Sequence, residues 1–229
     1  MDLSTAATIA NRVLDNTDLD PMKFDPQQLR EAIRHVLGTF LEISNCTIGH
    51  VDITIADTAY VFSLPTYSSA RFLPSRVITD SVWTTPSDGS DPHKIRVRDF
   101  RYVRDLKLAN PSDTVGRIEY LAFRMTEPRY TDTSEADGWV SPPSDGGDTI
   151  AIDFYELLAP LNDDGDAINI PDHFIRSALY RGLPPVLLAG INQSLVQMPG
   201  WLAFENWARG TRLPFLSNII EKDETLIWR

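Results

Sequence analysis

The acidic loop at 163–166 is the stretch whose residue types come closest to a metal site. It reads Asp163-Asp164-Gly165-Asp166, and carboxylate oxygens are the ligands that hard cations such as Ca²⁺ prefer. The loop lacks the full spacing of a calcium-binding loop and the glutamate that ends one. A solvated turn is the alternative interpretation, and the sequence assigns no metal to these residues.

The four histidines are the next candidates for chemistry, because imidazole is a common general base. They are scattered along the chain, and no nucleophile motif or HExxH spacing accompanies any of them. His173 follows Asp172 at a predicted helix start, which favours a role as a polar neighbour of the cap. The set is His35, His50, His93 and His173.

Other patterns do not assemble a catalytic site. Asp153 and Glu156 lie on one predicted strand but point to opposite faces, so they cannot easily share a metal. The Gly146-Gly147 pair has neither the lysine nor the following helix of a phosphate-binding loop. We therefore predict no catalytic residue, no cofactor and no enzymatic activity. The aromatic residues that could form a sugar platform, or serve in a core or interface, are Trp139, Tyr155, Trp201, Trp207 and Trp228.

Charge and composition narrow the classes of partner. The net charge of −11 disfavours a surface that grips nucleic-acid phosphates or an anionic membrane, and it suits a wall that DNA passes without sticking. The single cysteine, Cys46, cannot form an internal disulfide. The chain start has no signal-peptide pattern, and the apolar stretch at 186–191 is too short to span a bilayer. Folding in a cytosolic compartment is expected.

Helical periodicity occurs at both ends of the chain. At the N-terminus, Ser4 or Thr5 is placed to cap a first helix, and Asp25 to Gln28 has the form of a capping box for a second. Near the C-terminus, Pro171 is expected at the first position of a helix, and Pro184-Pro185 at a kink or break. A short last helix is predicted over 201–209, with Gly210 just past its end.

The middle of the chain has the period of β-strands. Alternation over 51–55 and 60–62 predicts a hairpin or consecutive strands. Further strands are predicted over 76–83, 95–98, 116–125 and 149–158, whereas the stretch from Asp99 to Lys107 fits either a short helix or an extended segment. We expect an all-β unit, either a small sandwich or an open barrel.

These elements predict an α+β fold. Helices from the two chain ends need partners for their apolar faces, and they are expected to form one bundle with an antiparallel β domain inserted between them. An extended arm is predicted at the C-terminus. The predicted boundaries are 1–45 for the N-terminal helical pair, 46–160 for the β domain, 161–210 for the C-terminal helices and 211–229 for the arm.

The order of these elements resembles the head-to-tail adaptor, or connector, proteins of tailed bacteriophages. Gly116-Arg117-Ile118-Glu119-Tyr120 is similar to the start of a strand in that family, with Ile118 in place of the usual proline. Residues 139–155 resemble its short strand, Pro-Pro turn and long strand ending in aromatics. The segment 161–180, with Ile170-Pro171-Asp172-His173-Phe174, resembles its acidic loop and following helix. Pro184-Pro185 interrupts a helix that is usually continuous in the family.

This resemblance implies a structural virion protein. Such proteins form a ring, usually of twelve copies, below the portal protein at the capsid vertex. The ring extends the channel through which genomic DNA passes without sequence-specific binding, and it is a platform for the next neck, nozzle or tail protein. Assembly in the host cytoplasm is implied, and the acidic residues Asp163, Asp164 and Asp166 are expected to face the lumen. A phage tail accessory or glycan-binding β module is the alternative.

The C-terminal arm is too apolar for a free polar tail. In family terms it resembles arms that insert between portal subunits, although packing on its own subunit or on a neighbour in the ring are alternatives. Its candidate contact residues are Leu213, Phe215, Leu216, Ile219, Ile220, Leu226, Ile227, Trp228 and Arg229.

Overall fold

The chain folds as an α+β protein with two compact units. The structure is a computed structural model that describes residues 1–17, 24–56, 60–63, 76–109, 115–123, 138–144, 146–192 and 198–211. One unit comprises Met1–Thr47 and Leu157–Arg229, and the other comprises Ile48–Glu156. The β domain predicted over 46–160 overlaps the second unit. The predicted arm spans 211–229, and its residues 212–229, with all of the candidate contact residues, lie outside the described residues.

Four helices share the core of the first unit. They are α1 (Leu3–Asn16), α2 (Pro26–Ser44), α4 (Asp172–Asn192) and α5 (Pro199–Gly210). Apolar residues three and four apart on each helix place their side chains on one face, and these faces are buried together. Phe40 of α2, for example, lies beside Phe174 of α4 and Trp207 of α5, with ring centroids 5.6 and 5.2 Å apart. Helices from both ends of the chain therefore form one hydrophobic core.

The caps explain where the first two helices begin. Asp25 accepts a hydrogen bond from the N–H of Gln27, and the side chain of Gln28 accepts one from the N–H of Asp25, so the predicted capping box is confirmed. For α1 the predicted cap is wrong. Asp2, not Ser4 or Thr5, caps this helix by accepting from the N–H of Thr5 at 2.8 Å.

The expected break at Pro184-Pro185 does not occur. Both prolines lie inside α4, which continues to Asn192. The carbonyls that lose an N–H partner belong to Tyr180 and Arg181, whose exposed side chains show that this side of the helix faces water. Leu183 and Leu187 flank the prolines and are buried in the same core, so packing holds the two halves of the helix together.

The other predicted helix boundaries shift by one or two residues. Pro171 precedes α4 and supplies the carbonyl that accepts from the N–H groups of Phe174 and Ile175. The last helix, α5, begins earlier than predicted, at Pro199. It includes Gly210 as its final residue.

Within the described ranges, the second unit contains two four-stranded sheets and one α-helix. The first sheet has the order β1 (Ile48–Thr54), β8 (Thr149–Tyr155), β3 (Trp83–Thr85), β4 (His93–Lys94); the second has the order β2 (Val61–Phe62), β7 (Gly138–Ser141), β6 (Tyr120–Phe123), β5 (Arg96–Val97). Buried residues of both sheets form one apolar cluster, as in a sandwich.

Of the two alternatives predicted for 51–55 and 60–62, the structure has consecutive strands and not a hairpin, because β1 pairs with β8 and β2 pairs with β7. Two other expectations for this unit are wrong. The sheets are not purely antiparallel, since β5 and β6 are parallel. The stretch predicted as a strand over 76–83 contains a 3₁₀ turn at Thr79–Ser81, and only Trp83–Thr85 is a strand there.

The ambiguous stretch after Asp99 is helical, so the unit is not all-β. The helix α3 (Phe100–Ala109) begins where the Asp99 carboxylate accepts from the N–H of Arg101 at 2.8 Å. The Asp99 carbonyl accepts from the N–H of Val103, whose side chain is fully buried. The cap at Asp99 and the burial of Val103 therefore favour the helix over the extended segment.

Candidate functional site

The acidic loop at 163–166 is bound to the start of α1 through its backbone. The carbonyls of Asp164 and Asp166 accept hydrogen bonds from the N–H groups of Ser4 and Leu3, at 3.0 and 3.2 Å. These are two of the N–H groups that the first turn of a helix leaves without an internal partner. The loop therefore completes the N-terminus of α1.

The carboxylates of the loop also bind within the helical unit. Asp166 accepts from the N–H groups of Asn162 and Asp163, at 2.6 and 2.8 Å, and these two bonds hold the pKa of Asp166 below its usual value. Asp164 forms an ion pair with Arg30 of α2, with 2.6 Å between oxygen and nitrogen. Two of the three predicted lumen carboxylates thus have partners in their own chain, and a lumen-facing role for the loop stays a prediction.

At the predicted helix start, the carboxylate of Asp172 has a charged partner. The Asp172 carboxylate lies 3.0 Å from the N-terminal ammonium of Met1. The ring of His173 beside it packs at a tilt against that of Phe174, with ring centroids 4.0 Å apart. His35, on α2, stacks on Trp201 of α5 at 5.4 Å. Both histidines of the helical unit are therefore placed against aromatic rings.

His50 has a carboxylate at each of its two ring nitrogens. Its Nδ1 lies 2.7 Å from the carboxylate of Asp153, and its Nε2 lies 3.1 Å from that of Asp52. The hydrogen bond to Asp153 raises the pKa of His50, and the nearby charge of Asp52 adds to this effect. Because both ring nitrogens are occupied by carboxylates, this histidine is arranged to hold a proton and not to activate a nucleophile.

Strand register explains the cluster around His50. His50 and Asp52 lie two residues apart on β1 and so share the exposed face, and Asp153 of β8 is directly opposite His50. The spacing of His50 and Asp52 is visible in the sequence. The position of Asp153 is not, since it depends on how two strands about a hundred residues apart are aligned.

A second polar group surrounds His93 on β4. Arg117 donates from Nε to Nδ1 of His93, so the ring proton lies on Nε2, which donates to the carbonyl of Ile118 at 2.7 Å. Arg117 also donates to the carbonyl of Asp91 at 3.0 Å. These bonds require the neutral tautomer of His93, and they hold strands and loops together.

A small depression lies next to this group. It has a volume of about 140 Å³ and is lined by residues of the 86–90 loop, Gly116, Arg117 and Asp148. Drug-sized ligands occupy pockets of roughly 300–1,000 Å³, so this depression is too small for one. The buried carboxylate of Asp148 accepts from the N–H of Ser87 at 3.0 Å and so has a structural partner.

The described residues contain no group of three metal-ligating side chains arranged to hold an ion. The loop at 163–166 is included in that range. The carboxylates of Asp164 and Asp166 contribute an ion pair and hydrogen bonds, as described above, and none of the three carboxylates, including that of Asp163, belongs to such a group.

The aromatic residues proposed for a sugar platform are mostly packed inside. Trp201 is buried in the helical core and Trp207 packs on Phe40, whereas Trp228 lies outside the described residues. Trp139 and Tyr155 are half-buried. The residue that sequence reasoning missed is Trp83, which is 45% exposed on β3 beside Ala151.

Comparison with known proteins gives no family assignment. No protein-family model matches the sequence, and no curated protein matches it. None of the helices in the described ranges has the length and apolar character needed to cross a membrane.

Proposed function

We propose that this chain is a structural virion protein, the head-to-tail adaptor of a tailed bacteriophage, which forms a ring below the portal. The observation that carries the proposal is the core shared by α1, α2, α4 and α5. The family resemblance implies such a core, formed by helices from both chain ends, with a β domain inserted between them in the sequence.

The charge of the chain supports the same role. Its net charge is −11, so a channel built from many copies repels the DNA backbone and allows the duplex to slide. The acidic loop at 163–166 is exposed and contributes part of this charge. We propose that it faces the lumen, with portal above and the next neck or tail protein below.

A closed ring needs two different complementary patches on each subunit, because its contacts are heterologous. On α4, Tyr180 and Leu188 are 49% and 42% exposed and lie eight residues apart on the side of the helix that faces solvent. Large exposed apolar side chains of this kind suit a contact between subunits. We propose this exposed side of α4 as one of the two patches.

The test is assembly with the portal protein of the same virus. Mass photometry and negative-stain microscopy of the mixture are expected to give a ring of about twelve copies on the portal. A chain that never enlarges the portal complex contradicts the proposal. A monomer in isolation does not, because many-subunit rings form only above a threshold concentration or on a template.

Substitutions on α4 make the test specific. Leu188→Glu places a charge at an exposed position, so the helical core is expected to stay folded while ring assembly is lost. Arg176→Gln, at another exposed position of the same helix, is the control with the same change of net charge. Circular dichroism checks that both variants fold.

Removal of residues 212–229 tests the predicted arm. We expect a soluble protein that no longer binds the portal in a pull-down. Binding equal to that of the full chain would show that portal contacts lie elsewhere, without contradicting the ring itself.

A glycan-binding β module is the second candidate, and exposed Trp83 favours it. Its ring lies beside Ala151, whose small side chain leaves the face of the indole accessible to a sugar. This candidate predicts saturable glycan binding that Trp83→Ala abolishes. The adaptor proposal predicts that Trp83→Ala leaves portal binding unchanged.

A further inference from the structure

The strand β1 is an edge with an ordered set of unused backbone groups. It is seven residues long and pairs on one side with β8. In the described part of the chain, no strand pairs with its other side. A long regular edge of this kind is a template for pairing with another strand.

The direction of each backbone group on β1 follows from the register. The N–H of Ile55 donates to the carbonyl of Asp148 at 2.8 Å, and these residues are in register with the β1–β8 pairs. Odd-numbered residues therefore point their N–H and C=O groups towards β8. The groups of Ile48, His50, Asp52 and Thr54 point outwards, and within the described ranges none of these backbone groups bonds another strand.

The outward-pointing residues also carry the exposed side chains of β1. His50 and Asp52 have opposite charges when the histidine is protonated, and both side chains are more than half exposed. The other face of the strand is apolar, with Val51 and Ile53 buried. A strand added at this edge therefore extends a sheet that has one charged, exposed face and one apolar, buried face.

We propose that β1 pairs with β1 of a second copy of this chain, antiparallel and about a two-fold axis at Val51. In this arrangement Ile48 pairs with Thr54, and His50 pairs with Asp52 of the other copy. All four outward-pointing residues of each strand then form hydrogen-bonded pairs. The two sheets join into one continuous sheet of eight strands.

Charge selects this register among the alternatives. A two-fold axis at residue 50 places His50 opposite His50, and an axis at residue 52 places Asp52 opposite Asp52. Directly opposed like charges destabilise a strand pair, whereas opposite charges stabilise it. The axis at Val51 pairs opposite charges twice, once on each side.

Charge complementarity favours β1 of a second copy over an arbitrary strand as the partner of β1. The sequence His50-Val51-Asp52 is its own complement when the strand is reversed, because the basic and acidic residues exchange places about Val51. An isologous contact of this kind needs one surface only. It is therefore distinct from the two patches that a ring requires, and it does not rest on the adaptor proposal.

Charge exchange tests the contact. Analytical ultracentrifugation of the full chain is expected to show reversible dimers. Both variants are made in an Asp153→Asn background, because Asp153 faces residue 50 in the same chain. In that background His50→Asp opposes two carboxylates across the axis and is expected to raise the dimer Kd about tenfold. The double variant His50→Asp with Asp52→His restores opposite charges across the axis and is expected to recover most of the affinity. Lack of recovery in a folded double variant overturns the charge pairing.

Cysteine cross-linking identifies directly which residues of the two strands lie opposite each other. It can be used even if the chain also forms larger assemblies. In a Cys46→Ser background, Val51→Cys is expected to give a disulfide-linked dimer on mild oxidation, since opposed residues at a non-hydrogen-bonded pair lie about 4.5 Å apart between Cα atoms. His50→Cys and Asp52→Cys are controls for the other two registers. Preferential cross-linking of either control, or of none of the three, overturns the proposal.

The test of the β1 contact can be distinguished from the test of ring assembly. Leu188→Glu is expected to leave the β1 contact unchanged, and His50→Asp is expected to leave portal binding unchanged. A chain that stays monomeric up to about 1 mM and shows no cross-link at residue 51 excludes the two-fold contact while leaving the adaptor proposal intact.

Discussion

Gly182 of α4 lies against Val36 of α2, with so little space that a Cβ at position 182 would come 2.7 Å from Cγ1 of Val36. The ring of Phe204 on α5 would be only 3.1 Å away. The glycine therefore sits where three helices of the core approach one another, and it is required there for space.

Gly182→Ala is expected to destabilise the helical unit. Overpacking a core costs roughly 1–3 kcal/mol, which outweighs the helix propensity gained, about 1 kcal/mol. Chemical denaturation is expected to show a net loss of up to about 2 kcal/mol. The control is Gly210→Ala, where nothing lies within 4 Å of the added Cβ. Val36→Ala combined with Gly182→Ala is expected to relieve the clash, and failure to do so would place the strain elsewhere.

Local signals allowed most of the helical unit to be predicted from the sequence. The capping box at Asp25 and Gln28 acts over three residues, so its pattern is visible without knowledge of the fold. The cap of α1 was missed because Leu3 and Ser4 use their N–H groups on carbonyls of Asp166 and Asp164. That choice depends on a loop at the other end of the sequence.

The β unit was harder to predict for the same physical reason. Alternation over 51–55 and 60–62 gives strands but not their partners, and the two segments belong to different sheets. The cluster at His50 depends on the register that places Asp153 opposite it. Pairing between distant strands is decided by the whole core, so neither the sheet order nor this cluster follows from periodicity.

The cap at Asp25 can be tested by mutation. Asp25→Ala removes the acceptor for the N–H of Gln27, and loss of such a cap typically costs about 1 kcal/mol. Denaturation in urea is expected to show this decrease. Asp25→Asn keeps an acceptor oxygen and serves as the control. Equal stability of all three proteins would show that the cap contributes nothing measurable to this unit.

The raised pKa of His50 predicts a pH dependence of stability. Protonated His50 is favoured in the folded state by Asp153 and Asp52, so its stabilisation is complete below the unfolded pKa of about 6.5 and is lost as the pH rises through the higher folded pKa. Calorimetric Tm values from about pH 5 to about pH 9 are expected to show the wild type losing its advantage over His50→Asn. Asp153→Asn is expected to shift this loss to lower pH. A Tm difference that is constant with pH would exclude His50 as its source.

Phe204 is the core residue whose removal is expected to have the largest effect. It is 1% exposed and lies between Trp201 and Trp207 of its own helix. Phe→Ala in a core typically costs about 3–5 kcal/mol. Hydrogen exchange measured by mass spectrometry is expected to show faster exchange throughout α1, α2, α4 and α5. Phe204→Leu, which fills more of the space, is expected to retain most of the protection. Wild-type protection in Phe204→Ala would contradict the shared core.

The last test concerns the carboxylate of Asp166. It asks whether the hydrogen bonds of this carboxylate order the acidic loop and its contact with α1. Its pKa is lowered by the N–H groups of Asp163 and Asn162, so its stabilisation is present above the unfolded pKa and is lost as the pH falls through the folded pKa. Asp166→Asn is expected to speed amide exchange at residues 162 and 163, and at Leu3 and Ser4, whose N–H groups bind the loop carbonyls. Acidification of the wild type is expected to reproduce the same pattern by NMR. Asp163→Asn, in the same loop, is the control for loss of charge alone. If this control loosens α1 as much as Asp166→Asn does, charge and not the two hydrogen bonds orders the loop.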